Sequence, residues 1–345
     1  MSNLSNFENI LAPHADGLYT HLYAECGYLD KPTAFVYEKL PGNRDVFDLS
    51  SLTKALVTVP LIYQESLLNK LDLRSKVGEW LEGHVDHYDL NINAIMMLQL
   101  LRHESGLPAW RNLWVNHFDE KGRSMLDESE RKIHIDKIIN AQFLLSANQF
   151  IYSDIGFLLL QRLLENRYNA PFKTIYQAFC ETMQFGELIT FDPDPAKAVS
   201  TGFCEVRGRE LVGEVHDENA AVLGGACGHA GAFATGPNLV VYLKKLLTTN
   251  VGKAIWKEHK EALQLKQVHP GLAGWWLGNG ESSKVFAGGK AIGHLGFTGT
   301  AFWVDTNTRA YGVLLTNRVI SGRISHRITK LRKDVFTYFN KCLRQ

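Results

Sequence analysis

Ser51 and Lys54 stand three positions apart in FDLSSLTKAL, residues 47–56. Residues three apart share one face of a helix, so the hydroxyl and the amine point the same way. The segment before them is strand-like and the one after them largely apolar, which puts the pair at a partly buried helix start. At such a start an unpaired backbone N–H and the positive end of the helix dipole favour an attacking alkoxide and the oxyanion that follows it. Desolvation would depress the Lys54 pKa and let a neutral amine take the Ser51 proton. The competing reading is a capping serine with an incidental lysine. A second S-x-x-K, Ser129 to Lys132 in DESERKIH, lies in a charged run that reads as a solvated helix face.

Four further segments stand out. FIYSDIGFLLL carries Tyr152-Ser153-Asp154 about 100 residues after Ser51, and GHLGFTGTAFWVD carries His294-Leu295-Gly296 about 140 further on. LLRHESGLPAW, with Ser105-Gly106-Leu107-Pro108, lies between Ser51 and Tyr152, and VHDENAAVLGGACGHAGAFAT between Tyr152 and His294. In order and spacing the five segments resemble the serine β-lactamase and penicillin-binding protein family. The similarity is to the branch of class C β-lactamases, low-molecular-weight penicillin-binding proteins and related serine esterases. Its elements are S-x-x-K, Tyr-x-Asn and Lys/His-Thr-Gly, a variation on the S-x-x-K, S-D-N and K-T-G set. Tyr338-Phe339-Asn340 is a literal Tyr-x-Asn but follows the third element, and His229-Ala230-Gly231 is followed by a helix rather than a strand.

The resemblance implies an α+β fold: an antiparallel sheet flanked by helices, a mainly helical region, and an active site in the cleft between them. It implies no metal or organic cofactor. Ser51 would attack a carbonyl to form an acyl-enzyme. Lys54 and Tyr152 would share proton transfer, with a tyrosinate made accessible by nearby positive charge. The backbone N–H groups of Ser51 and Phe297 would form the oxyanion hole, with Gly296 letting substrate backbone come close.

Two positions depart from the pattern. Asp154 replaces Asn; an ionised carboxylate only accepts hydrogen bonds, and near Lys54 it would favour the ammonium and shift the base role to Tyr152. Leu295 replaces Thr, and His294 is only partly charged near neutral pH, which weakens recognition of a substrate carboxylate. An ester or a differently anchored amide is then expected. Arg318 and Arg323 could supply another anion contact, but nothing in the sequence aims them inward. Trp110, Trp114, Trp275 and Trp276 read either as an acyl pocket or as core. The expected protein is therefore a serine hydrolase, an esterase or peptidase acting on a small or peptide-like acyl substrate. The alternative is a non-catalytic or weakly acylated member that binds peptide-like or cell-wall ligands.

The elements that must position these residues can be traced along the chain. TAFVYEKLPGNRDVFDL reads as a strand pair around a Pro-Gly turn, and SLTKALVTVPLIYQESLLNK as a helix with Ser50 as N-cap and a kink at Pro60. NAIMMLQLLR, DKIINAQFLL, DIGFLLLQRLLENRY and PNLVVYLKKLLTT are the clearest helices of the middle. FTGTAFWVD, TNTR and AYGVLLTN form a hairpin pattern, and ISHRITKLRKDVFTYFNKCL an amphipathic helix. Residues 1–60 and 265–345 are expected to form one discontinuous α/β sheet domain, and 61–264 the helical region.

Of the 345 residues, 37 are Lys or Arg and 36 Asp or Glu, so nothing marks a nucleic-acid or anionic-membrane surface. No apolar run approaches a membrane span. Five scattered cysteines without a C-x-x-C pair suggest buried free thiols rather than disulfides or zinc. HVDHYD, residues 84–89, has metal-ligating composition but reads as a solvated loop. The N-terminal stretch lacks a secretory pattern, so the chain as given is expected to be cytoplasmic; one trimmed of its signal would look the same. The oligomeric state is left open.

Overall fold

Ten strands are found among the residues that the computed structural model describes, namely 3–68, 72–80, 90–141, 149–264, 274–277, 282, 286, 291–323 and 326–344. They are β1 (Leu22–Tyr28), β2 (Thr33–Lys39), β3 (Val46–Asp48), β4 (Gly202–Cys204), β5 (Arg209–Leu211), β6 (Phe233–Thr235), β7 (Trp276–Leu277), β8 (Ala291–Leu295), β9 (Ala301–Asp305) and β10 (Ala310–Thr316). Six make one antiparallel sheet in the order β2-β1-β10-β9-β8-β7. An antiparallel sheet with its helices is the expected fold class.

Side-chain alternation explains why the sheet is buried on both faces. Along β10, Ala310 and Leu314 enter one core while Tyr311, Val313 and Leu315 enter the other. In β9, Ala301 and Trp303 face the first core, and Phe302 and Val304 the second. The first core is closed by the helices Asn3–Leu11 and Arg327–Cys342, through Phe7, Phe336 and Phe339. The second continues into the helical middle of the chain. His294 shares the parity of Ile292 on β8, so it stands on the face of that second core.

The expected strand pair at 33–48 is corrected in part. Both strands form, but β3 pairs with β6 instead of β2. Pro41–Asn43 is a short 3-10 turn that carries the chain away from the main sheet. The helix after Ser51 opens at Leu52, passes through a π-helical turn at Lys54–Thr58 and continues as α-helix at Val59–Leu67. Pro60 has no N–H to offer the carbonyl of Leu56. The Tyr242 hydroxyl donates to that carbonyl, and Trp275 Nε1 donates to the carbonyl of Ala55 at 2.8 Å. Side chains from elsewhere thus replace bonds that the irregular turn gives up.

The helices read at 154–168 and near the C-terminus occur at Asp154–Tyr168 and Arg327–Cys342. Four of the cysteines are buried thiols and Cys342 is half-buried. No helix among the described residues is long and apolar enough to cross a membrane. The HVDHYD segment lies outside the described residues.

Candidate active site

Ser51 sits in the turn between β3 and the π-helical segment, half-buried at the floor of a cleft of about 430 Å³. Lys54, one helical turn on, is fully buried beneath it. An ammonium has three protons and no lone pair. Lys54 Nζ meets three acceptors: Ser51 Oγ at 3.1 Å, the His229 carbonyl at 2.9 Å and Asp154 Oδ1 at 2.7 Å. Burial alone would push the amine down, but the Asp154 carboxylate, helped by the Tyr152 hydroxyl beside it, outweighs that and holds the Lys54 pKa above its usual value. The depressed amine expected from desolvation is therefore not found, because Asp154 supplies the counter-charge.

Tyr152 and Asp154 reach the cleft from the start of the helix Asp154–Tyr168. The segment 103–109 holds that start in place. Ser153 N donates to His103 Nδ1 at 2.9 Å, Ile151 N to the His103 carbonyl at 2.8 Å and Asp154 N to the Ala109 carbonyl at 2.8 Å. Ser153 Oγ caps the helix by accepting from Gly156 N and donates to the Pro108 carbonyl. The Tyr152 hydroxyl is out of water and close enough to Ser51 and Lys54 to feel both, yet makes no well-formed hydrogen bond at rest among the described residues. Burial raises its pKa, and Lys54 only partly offsets that. The accessible tyrosinate expected from the sequence is thus replaced by a neutral phenol.

The turn after β8 forms the opposite wall. Gly296 is needed for close approach: a Cβ there would lie 2.8 Å from the Leu49 carbonyl and 2.0 Å from Thr300 Oγ1. Thr298 Oγ1 and Thr300 Oγ1 donate to the carbonyls of Asp48 and Leu49 at 2.8 and 3.1 Å, which fastens this turn to the nucleophile turn. Arg332 of the terminal helix braces it from behind, with bonds to the carbonyls of Gly296 and Thr300 at 2.6 and 2.8 Å. Phe297 N–H faces the same turn and donates to Ser50 Oγ at 3.1 Å. Ser51 N–H has no partner among the described residues.

His294 does not reach the cleft wall. It is buried, with Nδ1 against the Leu295 carbonyl at 2.8 Å and its ring 4.8 Å from Trp276. Burial first, and then Lys54, pull its pKa down to about 3, so the partly charged imidazole expected there is neutral instead. Leu295, Gly296 and Phe297 do line the cleft, as do Trp110 and Trp276, while Trp275 and Trp114 pack in the core. Arg318 turns inward, whereas Arg323 stays exposed at the cleft edge and pairs with Glu218. With Arg332 they line the end of the cleft beyond Phe297, whose ring lies 4.4 Å from the Arg318 guanidinium.

Several residues at the site were not singled out from sequence. His103 acts by holding the backbone of residues 151 and 153, and the contribution of His229 is a backbone carbonyl, neither of which side-chain patterns reveal. Asp217 accepts from Ala220 N at 2.7 Å as the cap of the helix Glu218–Val222 and pairs with His229 Nε2 at 3.1 Å. Asp48 is fully buried and accepts from the backbone N–H groups of Ser50 and His216, both at 2.7 Å. Burial outweighs those bonds and lifts its pKa to about 6. Ser50 itself is no helix cap. Its backbone is left-handed at φ 51°, and its hydroxyl turns to Phe297 instead of the helix N–H groups.

A family model described as Beta-lactamase matches residues 21–335. The chain is 26% identical over 306 residues to the N-acetylmuramyl-L-alanine amidase of Bacillus subtilis, covering 80% of this chain and 68% of that protein. It is 25% identical over 318 residues to a Salmonella heidelberg protein provisionally named D-alanyl-D-alanine carboxypeptidase, covering 84% of this chain and 73% of the other. Among solved structures, a class C beta lactamase from Rhodobacter sphaeroides superposes with a TM-score of 0.65 at 13% identity, covering 97% of this chain and 98% of that one.

Proposed function

The chain belongs to the Beta-lactamase family and is a serine hydrolase, and we propose that it acts through an acyl-enzyme on Ser51. The observation that carries this reading is the Lys54 ammonium, fully buried and bonded at once to Ser51 Oγ, the His229 carbonyl and Asp154. A charge so deep in the protein is costly unless every proton is used. Its position beside a half-exposed serine hydroxyl gives it a purpose, the stabilisation of alkoxide character on Ser51.

The protonation states support a particular proton path. In one relay the Ser51 proton passes to Tyr152 Oη while the phenol's own proton goes on to the leaving oxygen or nitrogen. The bond from Ser51 Oγ to the carbonyl carbon forms, the bond from carbon to leaving group breaks, and Tyr152 Oη never carries two protons. The phenol is neutral before and after, in keeping with its raised pKa. The N–H groups of Ser51 and Phe297 receive the carbonyl oxygen. Water then reverses the sequence and releases the acid. Asp154 keeps Lys54 charged throughout.

The substrate in this reading is a small or peptide-like ester or amide that bears an acidic group. Arg318 and Arg332 are buried at the end of the cleft, bonded to backbone carbonyls and to no carboxylate among the described residues. Burial lowers both pKa values, helped by the charge of Arg323 beside Arg318 and by that of Arg318 beside Arg332, the latter falling to about 9. An anionic substrate group would relieve that unbalanced charge. The names of the amidase and carboxypeptidase relatives agree with an amide bond in a peptide-like donor.

The test is intact mass after exposure to a fluorophosphonate or a fluorescent penicillin. A mass shift absent in Ser51→Ala supports the reading; no adduct with any acylating probe would leave the ligand-binding alternative. A panel of p-nitrophenyl esters, D-Ala-D-Ala peptides and nitrocefin then ranks the leaving groups. Each acidic substrate should outperform its methyl-esterified twin, and Arg318→Gln should remove the difference.

A further inference from the structure

Ser50 stands next to the proposed nucleophile but takes no part in the proton path. We propose that its hydroxyl occupies the oxyanion hole of the free protein, standing in for the substrate carbonyl oxygen. The inference rests on the acyl-enzyme reading above, which makes Phe297 N–H the second oxyanion donor. In the free protein that N–H already donates to Ser50 Oγ at 3.1 Å.

The arrangement is built rather than incidental. Ser50 holds a left-handed backbone at φ 51°, which costs an L-residue free energy and persists only where its surroundings enforce it. Four bonds do so. Ser50 N donates to Asp48 Oδ1 at 2.7 Å, and Leu49 N donates to the Ala232 carbonyl at 2.9 Å. The Ser50 carbonyl accepts from Thr53 N at 3.0 Å and from Thr53 Oγ1 at 2.7 Å. Across the gap, Thr298, Thr300 and Arg332 fix the turn that carries Phe297. The two turns are locked together, and the Ser50 side chain bridges them on the cleft side, where it lines the cavity.

A backbone N–H left dry and unbonded costs free energy, so the hydroxyl stabilises the free site. The same bond must break before a carbonyl oxygen can be held. Ser50 lines the cleft, and in this proposal its hydroxyl turns away as substrate enters, so that one acceptor is exchanged for another. A donor held by further contacts, such as an acidic group at Arg318 and Arg332, can drive that exchange; a small neutral donor gains less from it. Ser50 is in this sense a positioning residue that acts through Phe297 N–H.

Ser50→Ala and Ser50→Gly, both made in the full chain, test this. Ala keeps the backbone strain and removes the hydroxyl; Gly removes both. The proposal predicts that both variants react faster with a small neutral fluorophosphonate, by about 2- to 10-fold, the range of one neutral hydrogen bond. It also predicts faster hydrogen exchange at the Phe297 amide in both. A rate that changes in only one variant would mark a strain effect and overturn the proposal. So would an unchanged Phe297 amide, or slower labelling in both variants, which would make the hydroxyl a donor to the oxyanion. If wild type takes no label while the Phe297 amide still responds, the occupied hole stands and the acyl-enzyme reading falls.

Discussion

Removing the charge of Asp154 should free Lys54 to titrate, because that carboxylate at 2.7 Å is what keeps a fully buried amine protonated. In Asp154→Asn, burial is opposed only by weaker partners, so the alkaline limb of the acylation profile should move to lower pH. Rates of fluorophosphonate labelling between pH 5 and 10 check this; an unchanged profile would remove Asp154 from the site. Asp48 offers a second pH signature, in stability rather than rate. Its folded pKa of about 6 lies above the unfolded value of about 3.9, so the folded state binds the proton more tightly. That contribution is present below pH 4 and is lost as pH rises toward 6, by about 3 kcal/mol. Urea titrations from pH 4 to 7 should show this slope in wild type and not in Asp48→Asn. At this scale Ser51 and Lys54 were readable from their types and spacing at a helix start, while Tyr152 and Asp154 were singled out only through the resemblance to the family's second element. The His229 carbonyl and the Ser50 backbone were not, because any residue can offer a carbonyl and a left-handed turn has no signature outside glycine and asparagine.

Two elements hold the site through bonds that no local pattern predicts. The π-helical turn Lys54–Thr58 survives Pro60 because Tyr242, far along the chain, bonds the carbonyl of Leu56. Tyr242→Phe removes that buried hydrogen bond and should cost about 0.5–1.5 kcal/mol by denaturant titration, without altering the pH profile of acylation. The start of the helix Asp154–Tyr168 depends likewise on His103. His103→Ala orphans Ser153 N–H and opens a cavity beside Tyr152, 4.6 Å from the lost ring. A loss of about 2–4 kcal/mol is expected, together with slower labelling of Ser51. The helices themselves were readable from their apolar spacing, Asp154–Tyr168 above all. Strand partners were not: a Pro-Gly turn after β2 announces a reversal, but only tertiary packing sends β3 to β6 rather than back to β2.

For the whole molecule we propose two bodies, residues 1–60 with 265–345 and residues 61–264, the cleft lying between them. The helix Gly236–Leu246 fastens the second body to the sheet: Gly236 packs so tightly on Tyr23 that a Cβ would fall 2.1 Å from its ring. On the other face, Phe339 joins Phe7, Phe35 and Phe336 in one aromatic cluster. Phe339→Ala should therefore cost about 3–5 kcal/mol in a denaturant titration, and the N-terminal helix should loosen with it in hydrogen exchange. The sheet order also dictates a timetable for biosynthesis. Leu22 pairs with Thr316, and the difference, 316 − 22, is 294 residues. At roughly 5–20 residues per second, β1 waits on the order of 15–60 s for that neighbour to leave the ribosome. Until then one edge of a central strand is bare, and a nascent chain of this kind would lean on chaperones for most of its translation.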